Sequence, residues 1–212
     1  MFILTDNNSI GSTFVAELRD TKIQKDSMRF RKNIERLGEI MAYEISKELN
    51  FKTVDIQTPL AIKKQNLLSQ QPVICTVMRA GLPFYNGFLN YFDRAESSFI
   101  GAWREESGDE IEVKLNYLAT PSLDNKDLII VDPMLATGKS LVKAIDAIQK
   151  HGKPNRVFIA AIIASKTGVE YLQQKLPNAE LFICDVDDIL DHNSYIVPGL
   201  GDAGDLAFGQ KL

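Results

Sequence analysis

An aspartate, Asp132, closes the apolar run LIIV, and six residues later Gly138, Lys139 and Ser140 open a segment with helical spacing. Gly-Lys-Ser after a strand is how a triphosphate-binding loop ends, but that loop also needs an earlier glycine, five positions before the second, so that the backbone can curl round the phosphates. Pro133 stands at that place, fixing φ and removing a backbone donor. The residues describe a different anion site. A carboxylate at the carboxyl end of a parallel strand repels a triphosphate but accepts hydrogen bonds from two vicinal ribose hydroxyls. Ala136, Thr137, Gly138, Lys139 and Ser140 then bring backbone N–H groups and two hydroxyls to the positive end of a helix, where a phosphate is favoured. An acid for the sugar and a helix start for the phosphate make a ribose 5-phosphate site.

The elements that must hold these groups are legible as alternating strands and helices. Extended runs are expected at 73–78, 97–102, 127–132, 156–164 and 180–186, with helices at 81–92, 138–152 and 166–176 between them. That alternation predicts an α/β fold, a mostly parallel sheet flanked by helices. A long amphipathic helix is expected over about 26–50, where Phe30, Ile34, Leu37, Met41, Ile45 and Leu49 recur at spacings of three and four. The polar stretch from Trp103 to Leu118, with Ser107-Gly108-Asp109 as turn chemistry, predicts a protruding β-hairpin over about 101–118 that can close over a site.

Length and composition bound the rest. The 212 residues suit one domain covering 1–212, and neither repeats nor linkers interrupt them. A formal net charge of −4 with mixed signs gives no electrostatic footprint for nucleic acid or an anionic membrane. No apolar run is long enough for a membrane helix and the first residues do not read as a signal peptide, so a cytoplasmic location is expected. Cys75 and Cys184 fall in apolar runs and read as buried thiols; with His151 and His192, read as surface residues, they have no zinc spacing. The acids Asp185, Asp187, Asp188 and Asp191 fit no calcium loop and are expected to frame a ligand site.

The stretch VDPMLATGKS resembles the phosphoribosyl pyrophosphate (PRPP) loop of the type I phosphoribosyltransferases, in particular the uracil phosphoribosyltransferases. VMRAGLPFYNG (77–87) is similar to that family's pyrophosphate-binding loop, GAWREES (101–107) to the start of its hairpin, and YIVPGLGDAGDLAFG (195–209) to its C-terminal base-binding segment, which spans about 185–209 here. ELRD (17–20), FR (30–31) and YE (43–44) also fit.

The resemblance implies a type I phosphoribosyltransferase fold and conversion of uracil and PRPP to UMP and pyrophosphate. It implies that Arg79, Arg104 and Asp132 are catalytic. PRPP would be held by these three with Pro133, Met134, Leu135, Ala136, Thr137, Gly138, Lys139, Ser140 and Asp202, and uracil by the peptide groups of Ile196, Gly201, Asp202 and Ala203. Mg²⁺ is implied as cofactor, carried by PRPP and water and not by direct protein ligands, and a homodimer or higher homo-oligomer is implied. Three departures from the family pattern stand out: Lys139 replaces a usual glycine, Pro83 and Phe84 replace a small, flexible pair, and DLAFGQ lacks a basic or aromatic residue after the last aspartate. An RNA-binding regulator on the same fold would need a basic face, and a kinase would need the glycine that Pro133 displaces.

Overall fold

The computed structural model describes residues 1–107 and 110–210, and side chains outside 102–116. β1 (Phe2–Ile3), α1 (Ile10–Arg19) and α2 (Ser27–Ser46) precede a hairpin of β2 (Phe51–Gln57) and β3 (Ile62–Leu68). Next come β4 (Val73–Met78), α3 (Leu82–Leu89), β5 (Glu96–Ser107), β6 (Glu110–Ala119), β7 (Leu128–Val131), β8 (Met134–Leu135), α4 (Lys139–Ile148), β9 (Val157–Ser165), α5 (Lys166–Lys175) and β10 (Ala179–Asp187). A short pair, β11 (Ile189–Leu190) and β12 (Ile196–Val197), leads to α6 (Ala203–Phe208).

The main sheet runs β1-β10-β9-β7-β4-β5-β6, with β8 also paired to β9. All its pairings are parallel except β5 with β6. This is the expected mostly parallel sheet, and its central strands are apolar on both faces because both are covered. Ile74, Ile129 and Val131 turn toward α2 and α3, packing with Ile34, Leu37, Met41, Phe84 and Phe88. Val73, Cys75, Leu128 and Ile130 turn the other way, toward Leu141, Ile145, Ile148 and Leu172 of α4 and α5. Alternation along each strand thus builds two cores from one sheet.

The long helix begins where Asp26 accepts hydrogen bonds from the Met28 and Arg29 amides and ends at Ser46, short of the last apolar residue of its stripe, Leu49. Leu49 still reaches the core, from the turn that follows. The expected strand at 97–102 and the first arm of the expected hairpin are one element, β5, which pairs with β6 with a register shift between Gly101 and Ala102. The turn expected at Gly108-Asp109 lies outside the described residues.

Two features were not anticipated. The β2–β3 hairpin carries no consistent apolar face, so no two-residue period marks it. Its strands pair only with each other among the described residues, and almost all of their side chains are exposed. Pro83 and Phe84 prove to be core: the buried Pro83 lies in the first turn of α3, and the buried Phe84 ring meets Phe88 edge-on at 5.3 Å between centroids. Their bulk is absorbed behind the loop that precedes α3.

Candidate active site

The carboxyl ends of β4 and β7 are adjacent, with Thr76 opposite Val131, so Arg79 and Asp132 both follow from the same edge of the sheet. The Asp132 backbone is pinned by its N–H to the Ala160 carbonyl at 3.1 Å, and its Oδ1 accepts the Met134 N–H at 3.3 Å. Pro133, unable to donate, accepts from the Ile162 and Ile163 amides at 3.2 and 3.0 Å. Met134 and Leu135 then run beside β9. The loop is bolted to its neighbour strand before it reaches the helix.

Gly138 makes the turn into α4 with φ of +73°, a left-handed conformation that glycine adopts without cost. A Cβ there would also crowd Tyr171 and the Gly168 carbonyl, at 3.1 and 3.2 Å. Lys139 follows as the first helical residue, exposed, so the left-handed turn falls one residue before it and the departure at 139 does not strain the loop. The Thr137 hydroxyl accepts the Lys139 N–H at 3.4 Å, which orders the entry to the helix. Backbone N–H groups from Thr137 to Ser140 and the positive end of α4 can hold a phosphate here.

The loop is also fixed from below by residues that sequence reasoning missed. The Ser165 hydroxyl donates to the Ala136 carbonyl at 2.6 Å and accepts from the Gly168 N–H at 2.9 Å, capping α5 while it ties the phosphate loop down. Gly168 lies so close beneath the loop that a Cβ would collide with the Ala136 oxygen. A serine ahead of the helical pattern signals the cap of α5, but not the bond to Ala136.

Arg79 follows a cis peptide from Met78. Its Nη2 donates to the Gly209 carbonyl at 3.1 Å and to Asp205 Oδ1 at 3.4 Å, while Nε is buried without a hydrogen-bond partner. The C-terminal segment thereby closes on the expected pyrophosphate loop: a Cβ at Gly204 would meet Ala80 Cβ and Arg79 Nη2 at 3.9 Å each. Asp202 caps α6, accepting the Asp205 N–H at 2.9 Å, so its side chain is oriented by the helix it starts. Ile196 and Ala203 are buried, whereas Gly201, with φ of +91°, and Asp202 are open to solvent. The peptide groups expected to read a base thus lie on the segment that also touches Arg79. The backbone of Arg104 lies on β5 opposite Val113, on the strand beside β4; its side chain lies outside the described residues.

The acidic run divides in structure. Asp185 and Asp187 both take Arg19 at 2.8 Å, Asp188 pairs with Lys166 at 2.5 Å, and Asp191 Oδ1 accepts the Asn193 and Tyr195 amides at 2.9 and 2.8 Å. His151 and His192 are exposed, as expected. Both cysteines are buried and free; burial, chiefly, pushes the Cys75 thiol up to about 12 and raises Cys184 as well. A cavity of about 710 Å³ lies at the opposite edge, where Lys153, Arg156 and Lys175 flank the starts of β9 and β10, far along the strands from the phosphate loop. The groups with matching chemistry are at the carboxyl edge, so the site is assigned there.

A family model for uracil phosphoribosyltransferase matches residues 6–210. A uracil phosphoribosyltransferase of Porphyromonas gingivalis is 46% identical over 207 residues, covering 97% of this chain and 96% of its own. That of Pyrococcus furiosus is 36% identical over 201 residues, covering 93% of this chain and 85% of its own. The solved structure of the AQ2163 protein from Aquifex aeolicus superposes with a TM-score of 0.87 at 31% identity, covering 97% of each chain. With an anion loop, an arginine loop and a glycine-rich terminal segment meeting at one sheet edge, and with relatives matching along almost the whole length, the chain belongs to the uracil phosphoribosyltransferase family.

Proposed function

We propose that this protein transfers the phosphoribosyl group of PRPP to uracil, releasing UMP and pyrophosphate, as a step of pyrimidine salvage. The observation that carries the reading is the meeting at one sheet edge of the Asp132 to Ser140 loop with Arg79 and the segment from Ile196 to Gly209. Asp132 accepts the two ribose hydroxyls, and the 136–140 turn with the α4 N-terminus takes the 5-phosphate. As the C1–O bond breaks, positive charge develops on the ribose and negative charge on the departing pyrophosphate. The permanently charged forks of Arg79 and Arg104 stabilise that leaving group, with Arg79 exchanging its contacts to Asp205 and Gly209 for pyrophosphate oxygens. Pro133, Met134 and Leu135 carry the loop between the two subsites. Lys139, exposed at the helix start, adds a cation near the phosphate.

Uracil offers two carbonyl acceptors and an N3–H donor. The peptide groups of Ile196, Gly201, Asp202 and Ala203 present the complementary edge, and cytosine's amino group would set donor against donor.

The donor set suits Mg²⁺ brought in on its substrate. Among the described residues there is no group of three His, Cys, Asp or Glu side chains that could cage an ion. Asp132 and Asp202 would contact it through water, and its chemistry is neutralisation of pyrophosphate charge.

A charged donor does not cross membranes unaided, which favours the cytoplasm; among the described residues no helix is long and apolar enough to span a membrane. The β2–β3 arm, with Leu60 97% and Ile62 66% exposed, supports a homo-oligomer in which it is covered.

The test is UMP formation from labelled uracil with and without PRPP and Mg²⁺, beside an Asp132→Asn variant and parallel reactions with cytosine, hypoxanthine and orotate. PRPP-dependent turnover of uracil alone, weakened in the variant, is expected. No UMP from the wild type, or equal use of the other bases, would overturn the reading.

A further inference from the structure

Arg19, at the end of α1, is far in sequence from every group given a role above, yet its side chain reaches the base-reading segment. Nη1 donates to Asp187 Oδ2 and to the Gly199 carbonyl, each at 2.8 Å. Nη2 donates to Asp185 Oδ2 and Asp187 Oδ1, each at 2.8 Å, and the Thr5 hydroxyl completes Asp185 at 2.9 Å. Asp187 Oδ2 in turn accepts the Gly199 N–H at 2.9 Å. Both polar backbone groups of Gly199 are therefore held by one ion pair. Asp187 is 6% exposed and Gly199 is buried, so water does not substitute for these bonds. Gly199 packs so tightly on the Ile196 carbonyl that a Cβ would collide with it. One residue on, Gln24 Nε2 bridges the carbonyls of Leu18 and Leu200 at 2.8 and 3.1 Å, joining α1 to the same segment.

We propose that the Arg19–Asp187 pair is a positioning device for base recognition, fixing the peptide groups of Ile196 and Gly201 to Ala203 against the uracil edge without touching the base. The inference rests on the function proposed above. Planar fork geometry is what the site uses: four donations from two nitrogens cannot be reproduced by an ammonium. A peptide edge displaced by a fraction of an ångström loses base affinity, whereas the PRPP loop, bolted to β9 and Ser165, is held by other bonds.

The experiment compares wild type with Arg19→Lys, Arg19→Met and Asp187→Asn, the last being the mildest change should Arg19→Met fail to fold. KM for uracil and for PRPP are measured separately, and amide exchange of 199–203 and 133–140 is followed by mass spectrometry. Expected is a rise in the uracil KM of about tenfold for Arg19→Met, less for Asp187→Asn, with the PRPP KM within about twofold of wild type. Exchange should accelerate in 199–203 and not in 133–140. Equal shifts in both KM values, or unchanged uracil KM and exchange in folded variants, would overturn the inference while leaving the enzymatic reading intact. A wild type without PRPP-dependent turnover defeats the reading itself, and unchanged exchange in the variants would independently dispose of the anchor.

Discussion

At the residue scale the proposed function gives Asp132 two jobs, since one carboxylate oxygen already accepts the Met134 amide and organises its own loop. Asp132→Asn keeps the shape and an acceptor but removes the charge that strengthens bonds to ribose hydroxyls. A fall in kcat/KM of about 10- to 100-fold is expected from steady-state kinetics, with thermal stability nearly unchanged. The thiols give a prediction with a definite sign. Cys75 is raised from 9.0 to about 12 chiefly by desolvation, and Cys184 is raised by the same cause. Below pH 9 both thiols are protonated folded or unfolded, so they contribute no pH dependence. Above 9 the unfolded thiols ionise while the folded ones do not, and each lowers stability by about 1.4 kcal/mol per pH unit until its folded pKa is reached. Denaturant titrations at pH 8, 9 and 10 should show this loss beginning above 9, and alkylation at pH 8.5 should label the unfolded chain but not the native one.

At the scale of elements, the sheet and the start of α4 were legible because local chemistry dictates them: apolar runs, and a Gly-Lys-Ser helix start behind one of them. What was not legible depends on contacts far apart in sequence. Nothing local to Ser165 announces that it ties down Ala136, and nothing in α1 announces that Arg19 reaches Gly199. Phe84 stood out as a bulky residue where the family has a small, flexible one; its burial in the core is a tertiary fact. The Ser165–Gly168 support can be tested directly. Ser165→Ala removes an N-cap and a buried hydrogen bond, and about 1–2 kcal/mol of stability should be lost in chemical denaturation. Gly168→Ala pushes against the Ala136 carbonyl and should cost about 1–3 kcal/mol. Both variants should raise the PRPP KM more than the uracil KM, the reverse of the Arg19 series, because the anion loop moves and the base segment does not.

The whole molecule presents a sheet edge rich in ligand groups and, elsewhere, a two-stranded arm whose residues do little for the fold that carries them. An isolated hairpin is marginal in water, and Leu60 and Ile62 at its tip with Phe51 and Leu67 along it leave apolar surface uncovered. Its end is tied in, where Leu68 packs on the core. Such an arm is stabilised if it lies against a second copy of the chain, which also covers its unpaired edges. Replacing residues 53–66 by a short Gly-Ser turn should therefore shift sedimentation from oligomer to monomer, and Leu60→Asp with Ile62→Lys should weaken assembly in proportion to protein concentration. The anion loop is held by β9 and by Ser165, so the monomeric variant should retain its phosphate-binding groups in place. A wild type that sediments as a monomer at assay concentration, or an assembly unchanged by losing the arm, would show that the exposed leucine and isoleucine serve something other than self-association.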